Sequence, residues 1–127
     1  MSDFVHLHLH TEYSLLDGAC KVKELVSYCA KNNIRAIAIT DHGNMYATLQ
    51  FAEQCRKNNI KAIIGCEMYM THDLHVKDNT SEFEHLILLA KNKTGYKNLV
   101  KLDSIAFVDG FYYKPRIDYK TLREHGE

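Results

Sequence analysis

No apolar run in this 127-residue chain approaches the roughly 20 residues needed to cross a bilayer. Its amino end also lacks the basic, apolar, then small-residue succession of a secretory signal. A cytoplasmic setting without a membrane partner is therefore expected. Net charge is missing as well, because 16 basic and 16 acidic side chains cancel. That balance argues against strong unaided binding to nucleic acid, which is driven by neutralising phosphates. The four cysteines, Cys20, Cys29, Cys55 and Cys66, have neither CxxC spacing nor the density of a secreted scaffold, so reduced thiols are expected. Disorder does not fit a composition of 46% hydrophobic and 25% charged residues, which is that of a folded domain with its own core.

Charge is nonetheless unevenly spread. Residues 1–90 carry 8 basic and 11 acidic side chains and residues 91–127 carry 8 and 5, a swing from minus three to plus three. A modest basic C-terminal surface and a solvated helix face account for it equally well.

What the chain does have is histidine, packed into Phe4-Val5-His6-Leu7-His8-Leu9-His10-Thr11. In an extended strand, side chains alternate between faces, so His6, His8 and His10 are expected on one face and Val5, Leu7 and Leu9 on the other. Imidazole is the commonest metal ligand among side chains, and three of them in five residues exceed what a merely solvated strand face requires. The following Glu12-Tyr13-Ser14-Leu15-Leu16-Asp17-Gly18 ends in a turn signal, and Asp17 adds an oxygen donor a short loop away.

Beyond this segment, Val22, Leu25, Val26 and Cys29 recur at helical spacing over Lys21 to Asn32. Ile34 to Thr40 is short and apolar, ends at Asp41-His42-Gly43, and reads as a strand buried on both faces. A second helix is expected from about Tyr46 to Asn58 with Leu49, Ala52 and Cys55 inward, then a strand from Ile60 to Glu67. Lys31-Asn32-Asn33-Ile34-Arg35-Ala36-Ile37 recurs as Lys57-Asn58-Asn59-Ile60-Lys61-Ala62-Ile63, an offset of 26 residues. That period is one β-α unit, and repeated units build an α/β barrel or open α/β sheet whose sites lie at the carboxyl ends of the strands. His10, His42 and Glu67 fall at those predicted ends.

Residues 71–82 are polar and read as a loop carrying His72 and His75 on the surface. Glu84 to Ala90 gives a fourth strand, with His85 at its beginning rather than its end. A helix follows from about Thr94 to Ile105, with Tyr96, Leu99, Val100 and Leu102 as its apolar positions. Asp109-Gly110-Phe111-Tyr112-Tyr113-Lys114-Pro115-Arg116 then mixes aromatics with two cations, a loop suited either to a phosphate or base or to aromatic packing. A short helix is expected from Asp118 to His125.

Together these residues resemble the PHP (polymerase and histidinol phosphatase) domain family. His8-Leu9-His10-Thr11, Thr40-Asp41-His42-Gly43 and Gly65-Cys66-Glu67 resemble its first three motifs. Glu12 to Gly18, His85 through Leu99, and Gly110 to Arg116 look like the form found at the N-terminus of bacterial DNA polymerase III alpha subunits. The resemblance implies a distorted seven-stranded β/α barrel, of which residues 1–127 would be the N-terminal portion. It implies up to three divalent ions, zinc, manganese or iron. His8, His10, Asp17, His42, Glu67 and His85 match ligand positions, His8, His10, His42 and Glu67 act through the bound metal, and further ligands lie beyond Glu127. His6 is an extra imidazole of open role, Asp41 is a candidate to orient a ligand, and Lys114 and Arg116 are candidates for phosphate or DNA contact. The implied activity is metal-assisted phosphodiester hydrolysis, a 3′ to 5′ exonuclease in a replicative polymerase. Its partners would be DNA and other replicase subunits, including a proofreading subunit. The alternatives are a scaffold and partner-binding module without catalysis, and a stand-alone phosphatase of the histidinol phosphatase type. Half of such a barrel exposes strand edges, so self-association is expected.

Overall fold

The computed structural model describes residues 4–126. In chain order the elements are α1 (Val22–Lys31), β1 (Ala36–Ile39), α2 (Thr48–Lys57), β2 (Lys61–Thr71), β3 (Glu84–Leu89), α3 (Lys93–Val108), β4 (Arg116–Asp118) and α4 (Tyr119–Glu124). Strand β2 is the spine. It pairs in parallel with β1 through Ala36↔Lys61 to Ile39↔Ile64 and in parallel with β4 through Tyr69↔Arg116 to Thr71↔Asp118. Its other edge pairs antiparallel with β3, from Gly65↔Leu89 to Met70↔Glu84. The antiparallel β3 departs from an all-parallel sheet and places its first residues, not its last, beside the carboxyl half of β2.

The 26-residue repeat is a repeated helix ending. Asn33 and Asn59 adopt φ of 55° and 54°, the left-handed conformation asparagine tolerates better than most residues. Each lets the next residue turn back: Ile34 N–H donates to the Cys29 carbonyl and Ile60 N–H to the Cys55 carbonyl, both at 2.9 Å. The helices thus stop at the same point relative to the buried Cys29 and Cys55, and each chain leaves directly into a strand. Between the helices and β1, Val22, Val26, Ile37, Ile39 and Phe51 form one core, each fully buried side chain contributing about 1.5–3 kcal/mol. On α2 the inward positions are Thr48, Phe51 and Cys55, whereas Leu49 is 81% exposed. A second core joins Cys66, Met68, Met70, Leu99, Leu102, Ala106 and Ile117. Tyr96 and Val100 of α3 lie at its exposed margin, because the helix turns Leu99, Leu102 and Ala106 inward.

The histidine segment is not a regular strand. Ala38 N–H donates to the His6 carbonyl at 3.0 Å and Thr40 N–H to the Leu9 carbonyl at 2.8 Å. The segment therefore advances three residues where β1 advances two, the signature of an inserted residue that upsets alternation. Leu9 N–H turns to the Thr40 hydroxyl at 2.9 Å instead of a ladder carbonyl. As a result Leu7 is 47% exposed, and the expected three-histidine face breaks up.

Candidate metal centre

Glu67 is the centre of the site. It lies within β2, four residues short of the strand's end, and only 4% of it is exposed. Its backbone is fixed from both sides, the N–H donating to the Asp41 carbonyl at 3.0 Å and the carbonyl accepting from Gly43 N–H at 2.9 Å. Gly43 has φ of +55°, and a Cβ there would meet Pro115 Cγ and Tyr69 Cε2 at 2.8 Å, so glycine is required for the loop to lie this close.

Four imidazoles surround the Glu67 carboxylate. Oε2 is 2.7 Å from His8 Nε2 and 3.1 Å from His10 Nε2, while Oε1 is 3.4 Å from His42 Nδ1 and 3.6 Å from His85 Nδ1. The His8 and His10 Nε2 atoms are themselves 3.1 Å apart. The His10 and His42 rings stack with centroids 3.9 Å apart. On its outer side, His42 Nε2 meets Asp17 Oδ2 at 2.8 Å. That hydrogen bond holds the Asp17 carboxyl below its ordinary range. Burial, then the neighbouring His42, lowers the pKa of His10, which favours the neutral imidazole that coordinates metals.

The residues fit a cation. His8, His10 and Glu67 each present a donor atom within 4.8 Å of the others. Tetrahedral bonds of 2.0–2.1 Å span ligand edges of about 3.3 Å, close to the separations seen here. Among the described residues the buried His10 Nδ1 and His42 Nδ1 have no hydrogen-bond partner, although Glu67 Oε1 lies 3.4 Å from the latter, and a cation would use such nitrogen lone pairs.

Asp41 is not part of this ring. Its carboxylate accepts from Thr11 N–H at 2.6 Å, from the Thr11 hydroxyl at 2.7 Å and from the Ser14 hydroxyl at 2.7 Å. Ser14 Oγ in turn accepts from His42 N–H at 3.1 Å. Asp41 therefore ties the segment bearing His8 and His10 to the loop bearing His42. Gly18 lets the intervening loop fold onto Thr11, since a Cβ there would overlap the Thr11 carbonyl. Cys66 lies next to Glu67, but burial pushes its thiol up and Sγ–H points to the Asp41 carbonyl at 3.5 Å, so it is a packing group rather than a thiolate donor.

His6 stands apart from this ring. Its ring meets Phe4 edge-on at 4.8 Å, because the inserted residue puts it out of phase with His8 and His10. His85 comes in through the antiparallel β3, where it pairs with Tyr69. Tyr69 joins the site without a motif of its own, its ring 5.1 Å from that of His85 and 6.5 Å from that of His42. Strand alternation from Glu67 was the available signal, since residues two apart share a face. Lys114 Nζ sits 5.4 Å from the Tyr69 centroid and lines the same cavity as His42 and Asp17.

Arg116 corrects the expectation of a DNA-facing cation. It is fully buried, donating to the carbonyls of Gly110, Leu74 and Val76 at 2.9, 3.2 and 3.0 Å and to the Ser81 hydroxyl. Its donors are used in pinning the 72–83 loop to β4, and none faces solvent.

Residues 6–127 match the PHP domain family. The chain belongs to that family. It is 48% identical over 130 residues to DNA polymerase III subunit alpha of Borreliella burgdorferi, covering 99% of this chain and 11% of that protein. With the Helicobacter pylori (strain J99) and Aquifex aeolicus alpha subunits it shares 49% and 47% identity, over 98% of this chain and 10% and 12% of theirs. The chain thus spans about a tenth of these relatives. In fold, this PHP chain is similar to an amidohydrolase of Chromobacterium violaceum, with TM-score 0.54 and 20% identity over 80% of this chain and 34% of that one. A Bifidobacterium adolescentis protein assigned as a metal-dependent phosphoesterase gives TM-score 0.53 and 15% identity, over 84% of this chain and 35% of that one. The mixed α/β architecture is that of part of a PHP barrel.

Proposed function

We propose that this chain is the N-terminal portion of the PHP domain of a replicative DNA polymerase alpha subunit, and that its imidazole and carboxylate cluster is part of a divalent-metal site that hydrolyses phosphodiester bonds in the intact subunit, the chain alone being inactive. In the intact subunit the activity is a 3′ to 5′ exonuclease on DNA. The partners are other replicase subunits, including a proofreading subunit, and the setting is the cytoplasm. The observation that carries this reading is a single buried carboxylate, Glu67, met by four imidazoles from three separate segments of the chain within 2.7–3.6 Å.

When bound, divalent ions supply Lewis acidity toward phosphate oxygens and an attacking water. His8, His10 and Glu67 would hold one ion, with zinc, manganese and iron all suited to mixed nitrogen and oxygen donors. His42, Asp17 and His85 extend the donor set toward the cavity. Asp41 positions the two ligand-bearing segments through Thr11 and Ser14. Lys114, at the cavity wall, meets the charge of an entering phosphate.

Elemental analysis of protein purified without chelator is expected to find bound metal that falls in a His10→Ala variant. A 5′-labelled single strand is expected to shorten with the intact alpha subunit and manganese, and to survive with its His42→Ala variant. Equal cutting by both, or no cutting by metal-loaded protein, would leave the scaffold reading as the better one.

A further inference from the structure

Beside the metal centre lies an open cavity of about 550 Å³, bounded on one side by Asp17, His42 and His85. That volume falls within the range of small-molecule sites. Tyr13, Tyr46, Tyr69, Phe83 and Phe107 add aromatic lining beyond what the metal chemistry needs. Tyr69 and Phe83 form an edge-to-face pair at 5.2 Å, and Tyr46 and Phe107 a tilted pair at 6.3 Å. Phe83 is 41%, Tyr46 64% and Phe107 37% exposed, although each contributes to the cavity wall. Among the described residues these three rings stand open beside a cationic side chain and a donor cluster, an arrangement that suits a ligand flat at one end and anionic at the other.

We infer that this cavity is a base-stacking subsite that holds the nucleobase of a deoxynucleoside 5′-phosphate while its phosphate faces His42, His85 and Lys114. The inference rests on the phosphoesterase reading and adds to it which part of the substrate is gripped. Aromatic stacking is tolerant of base identity, because every base presents a π face, so the subsite grips a strand end without reading its sequence. Lys114, already over the Tyr69 ring at 5.4 Å, lines the same cavity as His42 and His85. The other exposed apolar side chains near the rim, Leu15 and Leu16, are 89% and 96% exposed and extend the apolar surface on the Asp17 side.

Calorimetric titration of the full chain with dAMP and with 2-deoxyribose 5-phosphate, each with and without manganese, separates the two claims. The nucleotide is expected to bind about tenfold tighter than the baseless sugar phosphate. Phe107→Ala and Tyr46→Ala should each remove most of that difference while leaving the sugar phosphate's affinity alone. Tyr28→Ala, an exposed aromatic on α1 outside the cavity, should leave both ligands unchanged. Equal binding of the two ligands with manganese dependence intact would overturn the subsite and spare the phosphoesterase reading. A base preference that persists without any manganese dependence would do the reverse. Binding of neither ligand at millimolar concentration would overturn the subsite.

Discussion

Asp41 grips Thr11 at two points, accepting from its backbone N–H at 2.6 Å and from its hydroxyl at 2.7 Å, with both residues essentially buried. One residue before Thr11 is His10 and one after Asp41 is His42, and their rings stack at 3.9 Å. The contact is thus the clamp that sets the spacing of the imidazoles around Glu67.

Replacing Asp41 by asparagine puts an amide N–H₂ where an oxygen accepts, so at least one buried donor loses its partner. The expected loss is about 1–3 kcal/mol of stability. Bound metal should fall with it, because His8 and His10 are no longer registered against His42. Urea unfolding and elemental analysis of the same sample check this, and an unchanged midpoint with unchanged metal would remove Asp41 from the positioning role.

Much of this arrangement was legible in the sequence, for physical reasons that differ by residue. The repeated Asn-Asn-Ile marks helix endings because asparagine accepts φ near 55°, and that signal is local. His42 follows β1, as the apolar run before it suggested, whereas Glu67 was expected to end its strand and lies four residues inside β2. The phase of the first segment was not legible, since the inserted residue between His6 and Leu9 depends on the Thr40 hydroxyl, a tertiary partner. Nor does periodicity tell a parallel strand from an antiparallel one, which is why the position of His85 at the start of β3 gave no strand-end argument for it. Arg116 misled for a related reason: its carbonyl partners at Leu74 and Val76 lie about 40 residues away, so its burial has no local sign.

The same burial yields an expectation for Arg116→Met. Methionine fills the apolar part of the space but abandons the carbonyls of Gly110, Leu74 and Val76. A loss of about 3 kcal/mol is expected from several buried groups left unsatisfied. The 72–83 loop should become the first site of cleavage in limited proteolysis. Retained loop protection together with weakened DNA binding would instead favour a direct contact with DNA.

Asp103 on α3 gives a pH dependence away from the metal centre. Burial pushes its carboxyl up to about 6, and Oδ1 has no hydrogen-bond partner among the described residues. Because the unfolded chain ionises first, stability is expected to fall as pH rises from about 4 to 6 and to stay lower above that window. Asp103→Asn should therefore stabilise the protein at pH 7.5 by about 1–2 kcal/mol, after discounting for partial solvent access. The gain should vanish near pH 4. Thermal melts across pH that show the same gain at both ends would rule out ionisation as its source.

Strand β3 pairs only with β2 among the described residues, leaving its far edge with unpaired backbone groups. No proline or lysine lies within Glu84–Leu89 to discourage another strand from adding there, and Leu89 is 38% exposed. Open edges of this kind template pairing with a second chain. Apolar side chains elsewhere on the surface, including Leu49 and Val108 at 81% and 79% exposure, add to the tendency. Self-association of this chain is accordingly expected, visible in sedimentation velocity as a weight-average that rises with concentration. Leu89→Lys places a charge on the edge, whose burial in a new sheet would cost more than the added hydrogen bonds contribute, so it should shift the series toward monomer. A wild-type chain that stays monomeric throughout would show the edge to be protected. Association that ignores the Leu89→Lys change would move the contact to the apolar helix surfaces.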